Sequence, residues 1–351
     1  MTSNKKIPLM VPSLPKASDI LPYLNEIDKN SHYTNFGPLV RKFEHRLEAF
    51  QNQHLNQEID AVTVSSATMG IFILLKALEL PVKSRVMIPS FTFAATASAV
   101  CAAGHIPVVT DVDKVSWLLT PKIAQETIEK RFKTSKPSAI IPVSCFGFVQ
   151  DANEWAKFSV DTGLKVIIDA AGAFGGQMVD ENVPSVFSLH ATKALSCGEG
   201  GVVATTSKSL SKQVRELSNF GFGINTNQLG FNGKISEYAA AVGNADLERF
   251  FETASQRRKI FEYYHQQINS RLGNEITFQL GSKPFAPTIF CVKASSPEIR
   301  VRIEEKFAKN QIETRRWYTP LVQNLKNIRL CELPIKTTFA NELEQTLIGL
   351  P

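Results

Sequence analysis

No part of this 351-residue chain stays apolar for the roughly 18–20 residues that a bilayer-spanning helix needs, so no membrane span is expected. Cysteine is scarce: Cys101, Cys145, Cys197, Cys291 and Cys331 are odd in number, widely spaced and form no C-x-x-C pair. That argues against a disulfide framework and against a zinc site, and fits reduced thiols. No G-x-x-x-x-G-K-[ST] occurs, so an ATP-type phosphate loop is unsupported. Internal repeats and low-complexity tracts are missing. Lys and Arg are spread along the chain, and with a net charge of only +6 a nucleic-acid partner is not indicated. After Met1-Thr2-Ser3-Asn4-Lys5-Lys6 no long apolar stretch follows, and Pro8, Pro12 and Pro15 interrupt the segment, so no secretory signal is read and a cytoplasmic location is expected.

What is present is ordinary for a globular protein, 43% hydrophobic and 21% charged, and long enough for two domains. Residues 1–20 read as an extended arm. Leu39, Phe43, Leu47 and Phe50 then share one helical face. Strand-like runs follow at Ala61–Val64, Arg85–Pro89, Ile106–Thr110, Ala139–Ser144, Lys165–Asp169 and Gly201–Thr205, separated by helical stretches such as Met69–Leu80 and Ala94–Ala103. This alternation predicts an α/β domain with a mostly parallel, buried sheet over 21–235. Beyond it, a helical region to about Arg271, strands at Glu275–Leu280 and Pro287–Lys293 and a helix at Pro297–Ala308 predict a smaller α+β domain over 236–351.

Four segments carry chemistry, and each has a plainer meaning when taken alone. Val166-Ile167-Ile168-Asp169 puts a carboxylate at a strand end, where ligands of open α/β sheets sit and where it could face a protonated pyridine nitrogen. An isolated Asp there is more simply a cap. Ser65-Ser66-Ala67-Thr68 joins a strand to a helix and offers hydroxyls, free N–H groups and the positive dipole end to an anion, or simply N-caps the helix. Lys193 lies between the β-like Phe187-Ser188-Leu189 and the turn Gly198-Glu199-Gly200-Gly201. Most lysines are solvated, but small and apolar neighbours would desolvate this one, lower its pKa and make it a Schiff-base nucleophile. Phe93, just past a strand end, could stack on a planar ring or be ordinary core.

Together, in this order and spacing, these segments resemble the DegT-type nucleotide-sugar aminotransferases, which are pyridoxal 5'-phosphate (PLP) enzymes of fold type I. The resemblance runs from about Ile7 onward and includes Thr34-Asn35-Phe36-Gly37-Pro38, Pro89-Ser90-Phe91-Thr92-Phe93-Ala94-Ala95-Thr96, Asn219-Phe220-Gly221 and Gly230-Phe231-Asn232-Gly233-Lys234-Ile235-Ser236-Glu237. It implies a large domain with a mostly parallel central sheet and a smaller C-terminal α+β domain. It implies Lys193 as the Schiff-base lysine, Asp169 as partner of the pyridine nitrogen, Phe93 as the stacking aromatic, and Ala67, Thr68 and Ser188 as phosphate-binding positions. Asn232 matches an asparagine that reaches the phosphate of the partner subunit, which implies a homodimer with interfacial sites. Arg316-Trp317-Tyr318-Thr319-Pro320-Leu321 matches a segment near the substrate region.

The implied activity is amino transfer from an amino acid, glutamate by preference, to a nucleotide-linked keto-deoxysugar. The 4-keto-6-deoxyhexose of the viosamine and perosamine type is favoured over a 3-keto sugar. The product would serve surface-polysaccharide (O-antigen) or amino-sugar synthesis. A sugar dehydratase of this family would carry histidine at 193, and a non-catalytic PLP-binding regulator is the remaining alternative. There are departures from the family pattern. Gly172 stands where Gln or His commonly meets the cofactor's ring hydroxyl, Gly233-Lys234 stands where an aromatic and Arg are common, and the chain ends at Leu350-Pro351, earlier than the family pattern, so a final helical segment of the small domain is expected to be missing or shortened.

Overall fold

The computed structural model describes residues 6–132, 134–223, 229–328 and 331–351. Eight short strands build the main sheet: β1 (Asp60–Val64), β2 (Arg85–Pro89), β3 (Ile106–Thr110), β4 (Ala139–Ile140), β5 (Lys165–Val166), β6 (Ile168–Asp169), β7 (Ser185–Ser188) and β8 (Gly201–Thr205). β5 and β6 are two halves of one extended run. Within it Ile167 N–H donates to Ile140 O at 3.1 Å on one side, and Ile168 N–H to Pro184 O at 2.9 Å on the other. The spatial order is therefore β1-β8-β7-β6/β5-β4-β2-β3. Only β8 is antiparallel to its neighbours among these described strands. The Ala139–Ser144 run is shorter as a strand than expected, because Pro142 has no N–H to give the ladder.

These strands read as continuous apolar runs because helices cover both faces of the sheet. Phe187 and Trp155 are essentially fully buried in one layer, and Ile71 and Leu74 in the other. Burying each such side chain contributes about 1.5–3 kcal/mol.

Two differences from the sequence reading stand out. The arm is shorter than expected, because Ala17–Asn30 is a helix. Its signal is weak, since Pro22 lies inside it and only Tyr23 and Ile27 are buried. The helical region from 235 is two helices, Glu237–Glu248 and Phe250–Leu272. The first packs against Ala17–Asn30 and Pro38–Leu55, on the side of the main sheet. We therefore propose the division between the two bodies within Phe250–Leu272, later than residue 236.

The Glu237 side chain fixes that packing. Its carboxylate accepts the N–H groups of Leu39 (2.8 Å) and Val40 (2.9 Å), which open a helix and have no partner inside it. Gly37 makes room, since a Cβ there would stand 2.7 Å from the Glu237 carboxyl carbon.

The second body is a three-stranded antiparallel sheet of β9 (Ile276–Phe278), β10 (Phe290–Ala294) and β11 (Leu347–Leu350), in the order β11-β10-β9. Helices Phe250–Leu272 and Pro297–Lys309 cover it through Tyr264, Ile268, Ile303 and Phe307. Among the described residues no helix is long and apolar enough to cross a membrane.

Candidate active site

The sheet topology gathers one edge. β1, β2, β6 and β7 run in one direction and end at Val64, Pro89, Asp169 and Ser188, whereas the reversed β8 begins at Gly201 on that same edge. The edge carries a cavity of about 340 Å³. Ala67, Thr68, Phe93, Asp169, Ser188 and Lys193 all line it, and its volume is in the range of small-molecule sites. Asn232 does not line it; it is exposed, on a β-bridge with Asn219.

One end of the cavity suits a phosphate. Ser66 N-caps helix Ala67–Ala77, its Oγ accepting Met69 N–H at 3.1 Å. The N–H groups of Ala67 and Thr68 have no intrahelical partner at such a position, and they sit at the positive dipole end. β8 closes over this turn. A Cβ at Gly201 would lie 2.6 Å from Ala67 N and Ser66 C, so only glycine allows the approach. Gly201 pairs with Val64 on one side and Ser188 on the other, which brings the Ser188 hydroxyl beside the helix start.

The other end is built around Asp169, which is 5% exposed. Thr96 Oγ1–H donates to its Oδ2 at 2.7 Å, and Ala171 N–H to its Oδ1 at 3.2 Å. Burial raises the Asp169 pKa against these bonds and against the Lys193 charge. Burial lowers the Lys193 pKa against the pull of Asp169 and Cys145. Both groups are thus moved toward their neutral forms, and a cation set against Asp169 would restore its charge. No ion pair or hydrogen bond of Lys193 Nζ occurs among the described residues. Its backbone is held by Lys193 N–H donating to His190 O at 2.8 Å, inside a loop closed by Ala191 N–H to Gly198 O at 2.8 Å. Phe93 keeps 55% of its surface exposed at the cavity, unusual for a ring between a strand and a helix.

A buried polar network fixes the remaining wall. Phe146 and Gly147 take left-handed backbone angles (φ 56° and 90°) in a turn closed by Gly147 N–H to Ser144 O at 3.1 Å. Ser144 Oγ–H donates to Gln177 Oε1 at 2.8 Å, and the Gln177 amide donates to Gln150 O at 2.9 Å. This turn presents Cys145 and Phe146 to the cavity beside Gly172, on which Gly147 packs. Met10 from the N-terminal arm, and Arg315, Trp317 and Tyr318 from the second body, complete the mouth. Sequence reasoning gave no role to Thr96, Cys145 or Met10. Thr96 gave no local signal, because only the fold brings its hydroxyl to Asp169 Oδ2, with Thr92 Oγ1 3.0 Å away.

The donors present fit PLP: a hydroxyl-and-amide cradle for phosphate, a buried carboxylate suited to a ring cation, an exposed aromatic face and a desolvated amine. Fold and site together define a PLP-dependent aminotransferase. The chain belongs to the DegT/DnrJ/EryC1/StrS aminotransferase family, whose model matches residues 16–351; PLP is its cofactor. It is 31% identical over 333 residues to dTDP-4-amino-4,6-dideoxy-D-glucose transaminase of Shigella dysenteriae, covering 92% of this chain and 87% of that protein. It is 28% identical to GDP-perosamine synthase of Escherichia coli O157:H7, covering 90% and 86%. A PLP-dependent aminotransferase of Bacillus cereus, described as putative, superposes with a TM-score of 0.89 at 26% identity, covering 99% and 95%. DesI, solved with its TDP-sugar product, superposes at 0.86 with 27% identity, covering 99% and 88%.

Proposed function

We propose that this enzyme moves an amino group from glutamate to a keto-deoxysugar carried on a nucleoside diphosphate, the 4-keto-6-deoxyhexose form, in cytoplasmic synthesis of a surface-polysaccharide amino sugar. The observation that carries the reading is the meeting of Lys193, Asp169, Phe93 and the Ala67–Thr68/Ser188 cradle in one cavity. The sugar class is supported by the two relatives named as a dTDP-sugar transaminase and a perosamine synthase.

Bound PLP supplies an aldehyde carbon for the travelling amine and a ring that accepts the electron pair left behind by a departing proton. The chain's residues do the rest. Ala67 and Thr68 N–H groups, with the Thr68 and Ser188 hydroxyls, hold the phosphate. Asp169, oriented by Thr96, stays ionised against the ring nitrogen and keeps it protonated. Phe93 lies against the ring face. Lys193 would hold the cofactor at rest. When free, its desolvated Nζ would move a proton from the donor's carbon to the cofactor's in one half-reaction and from there to the acceptor sugar's carbon in the other.

Asn232 acts in the second copy of a homodimer, reaching that copy's phosphate. Its exposure outside its own cavity supports this reading, as does the apolar surface of Phe220, Phe222, Leu229 and Tyr238 near it in the chain. Lysine at 193 argues against a dehydratase.

The test has two arms. Purified protein should be yellow and bleach with glutamate, and Lys193→Ala should abolish the colour; unchanged colour in the variant sinks the lysine assignment. Amino transfer should then be measured over dTDP-, UDP- and GDP-linked 3-keto and 4-keto sugars. Product on 3-keto sugars alone overturns the 4-keto reading, and bleaching without product on any sugar overturns the sugar class.

A further inference from the structure

The ring of PLP carries a phenolic oxygen between its aldehyde carbon and its methyl group. The charge on that oxygen sets how tightly the lysine-linked nitrogen holds its proton. A hydrogen-bond donor at this oxygen is therefore a control on the cofactor, and position 172, which the family resemblance sets against it, supplies none. The residue three beyond Asp169 is Gly172, with no side chain to offer. The space is closed by backbone instead: a Cβ at Gly147 would lie 2.8 Å from Gly172 O, and a Cβ at Gly172 would lie 3.3 Å from Gly147 N. No side chain enters from position 172 without moving the 145–147 turn.

Several polar groups in or beside the cavity are already engaged. Thr96 serves Asp169, Ser144 serves Gln177, and His190 Nδ1 pairs with Thr192 Oγ1 at 2.9 Å. Arg315 is drawn to the mouth, its guanidinium 4.1 Å from the centre of the Trp317 ring. Tyr318 is different. It comes from the second body, yet its ring is set among the aromatics of the first. It stacks on Phe146 (centroids 5.6 Å, planes 18° apart), packs on Phe91 (5.1 Å) and approaches Phe93 (6.3 Å). Phe146 precedes Gly147, the residue packed on Gly172, so Tyr318 is anchored to the wall that lacks a side chain. The polar group beside its hydroxyl is the Cys145 thiol, a weak partner.

We propose that the Tyr318 hydroxyl donates a hydrogen bond to the phenolic oxygen of bound PLP, in place of any side chain from position 172. The environment keeps that donor intact. Burial, and then the neighbouring Cys145, Cys291 and Asp169, push the Tyr318 hydroxyl well above its ordinary pKa, so it remains protonated through the working range. Burial pushes the Cys145 thiol up as well, so it does not compete as an anion. The arrangement also has a structural consequence. A residue of the small body touches the cofactor pocket of the large one, so cofactor electronics depend on how the two bodies are seated.

The proposal rests on PLP being held at Lys193, and the experiment separates the two. The variant is Tyr318→Phe, which keeps the ring stacking and removes only the hydroxyl. The readout is the absorbance of the holoenzyme without substrate, titrated from pH 5 to pH 10 to find the midpoint of the lysine-linked chromophore. Loss of one donor to a charged oxygen concentrates negative charge there and tightens the proton on the adjacent nitrogen. The expected result is a midpoint raised by about one pH unit, a roughly tenfold change in the protonated ratio. Tyr318→Leu, lacking stacking as well, should shift the midpoint at least as far. A midpoint within 0.2 unit of wild type in a folded, yellow Tyr318→Phe protein overturns the proposal and leaves the Lys193 assignment standing. A changed sugar KM with an unmoved midpoint overturns it too, and assigns the hydroxyl to the substrate. A wild-type protein that takes up no PLP overturns both readings.

Discussion

Replacing Gly201 with alanine should damage cofactor binding more than its chemistry suggests. The added methyl would stand 2.6 Å from Ala67 N and Ser66 C and 2.8 Å from Ser66 O, all backbone atoms with no flexible end to swing away. Ordinary contact begins near 3.4 Å, so the helix start and β8 must part by about 0.8 Å. A phosphate bond of about 2.9 Å to either N–H would then stretch beyond useful length. Losing one hydrogen bond to a charged group costs about 1.5–3 kcal/mol, so the PLP Kd should rise about 10- to 100-fold. Fold stability should fall by about 1–3 kcal/mol from overpacking. The assay is a spectroscopic titration of cofactor-free protein with PLP, beside a denaturant melt. Gly163→Ala is the control. It ends helix Ala152–Thr162 at φ +75° with open space around it. It should lose about 1 kcal/mol of stability from left-handed strain and keep wild-type affinity. A folded Gly201→Ala protein with a Kd within twofold of wild type would refute the location of the cradle. Equal losses in both variants would refute the steric argument.

Two further predictions concern the frame around the site. Glu237→Ala leaves the Leu39 and Val40 N–H groups buried without an acceptor, at about 1–3 kcal/mol each, so unfolding in urea should require about 2–6 kcal/mol less. Glu237→Gln keeps one carbonyl oxygen and should lose about half as much; a loss under about 1 kcal/mol for the alanine variant contradicts the capping role. Asp246, whose Oδ2 accepts Ser196 N–H at 2.8 Å behind the Lys193 loop, is pushed by burial from 3.8 up to about 6. Between those values the native state keeps a proton that the unfolded chain has released. Its contribution is therefore present below about pH 4 and is lost as pH rises through about 6. Relative to Asp246→Asn, the wild type should lose up to about 3 kcal/mol between pH 4 and pH 7. A difference between the two proteins that does not change with pH would rule this out.

The sequence alone determined several strands of the main sheet and the residue types at their ends. Arg85–Pro89, Ile106–Thr110 and Gly201–Thr205 were legible to the residue, because a strand buried on both faces is a short apolar run that declares itself locally. Lys193, Asp169, Phe93, Thr68 and Ser188 could be singled out from the sequence by residue type and position between such runs, and the fold lines one cavity with them. Less legible were Ala17–Asn30, weakened by Pro22, and β11, only four residues long. Tertiary structure alone decided the rest. The reversal of β8 sets Gly201 against Ser66, the sheet order brings Thr96 to Asp169 across 73 residues, and the second body delivers Tyr318 to the wall beside Gly172. The physical reason is the reach of each signal. Periodicity and turn chemistry act over a few residues, whereas the meeting of distant side chains depends on strand order and helix crossovers that no local pattern encodes.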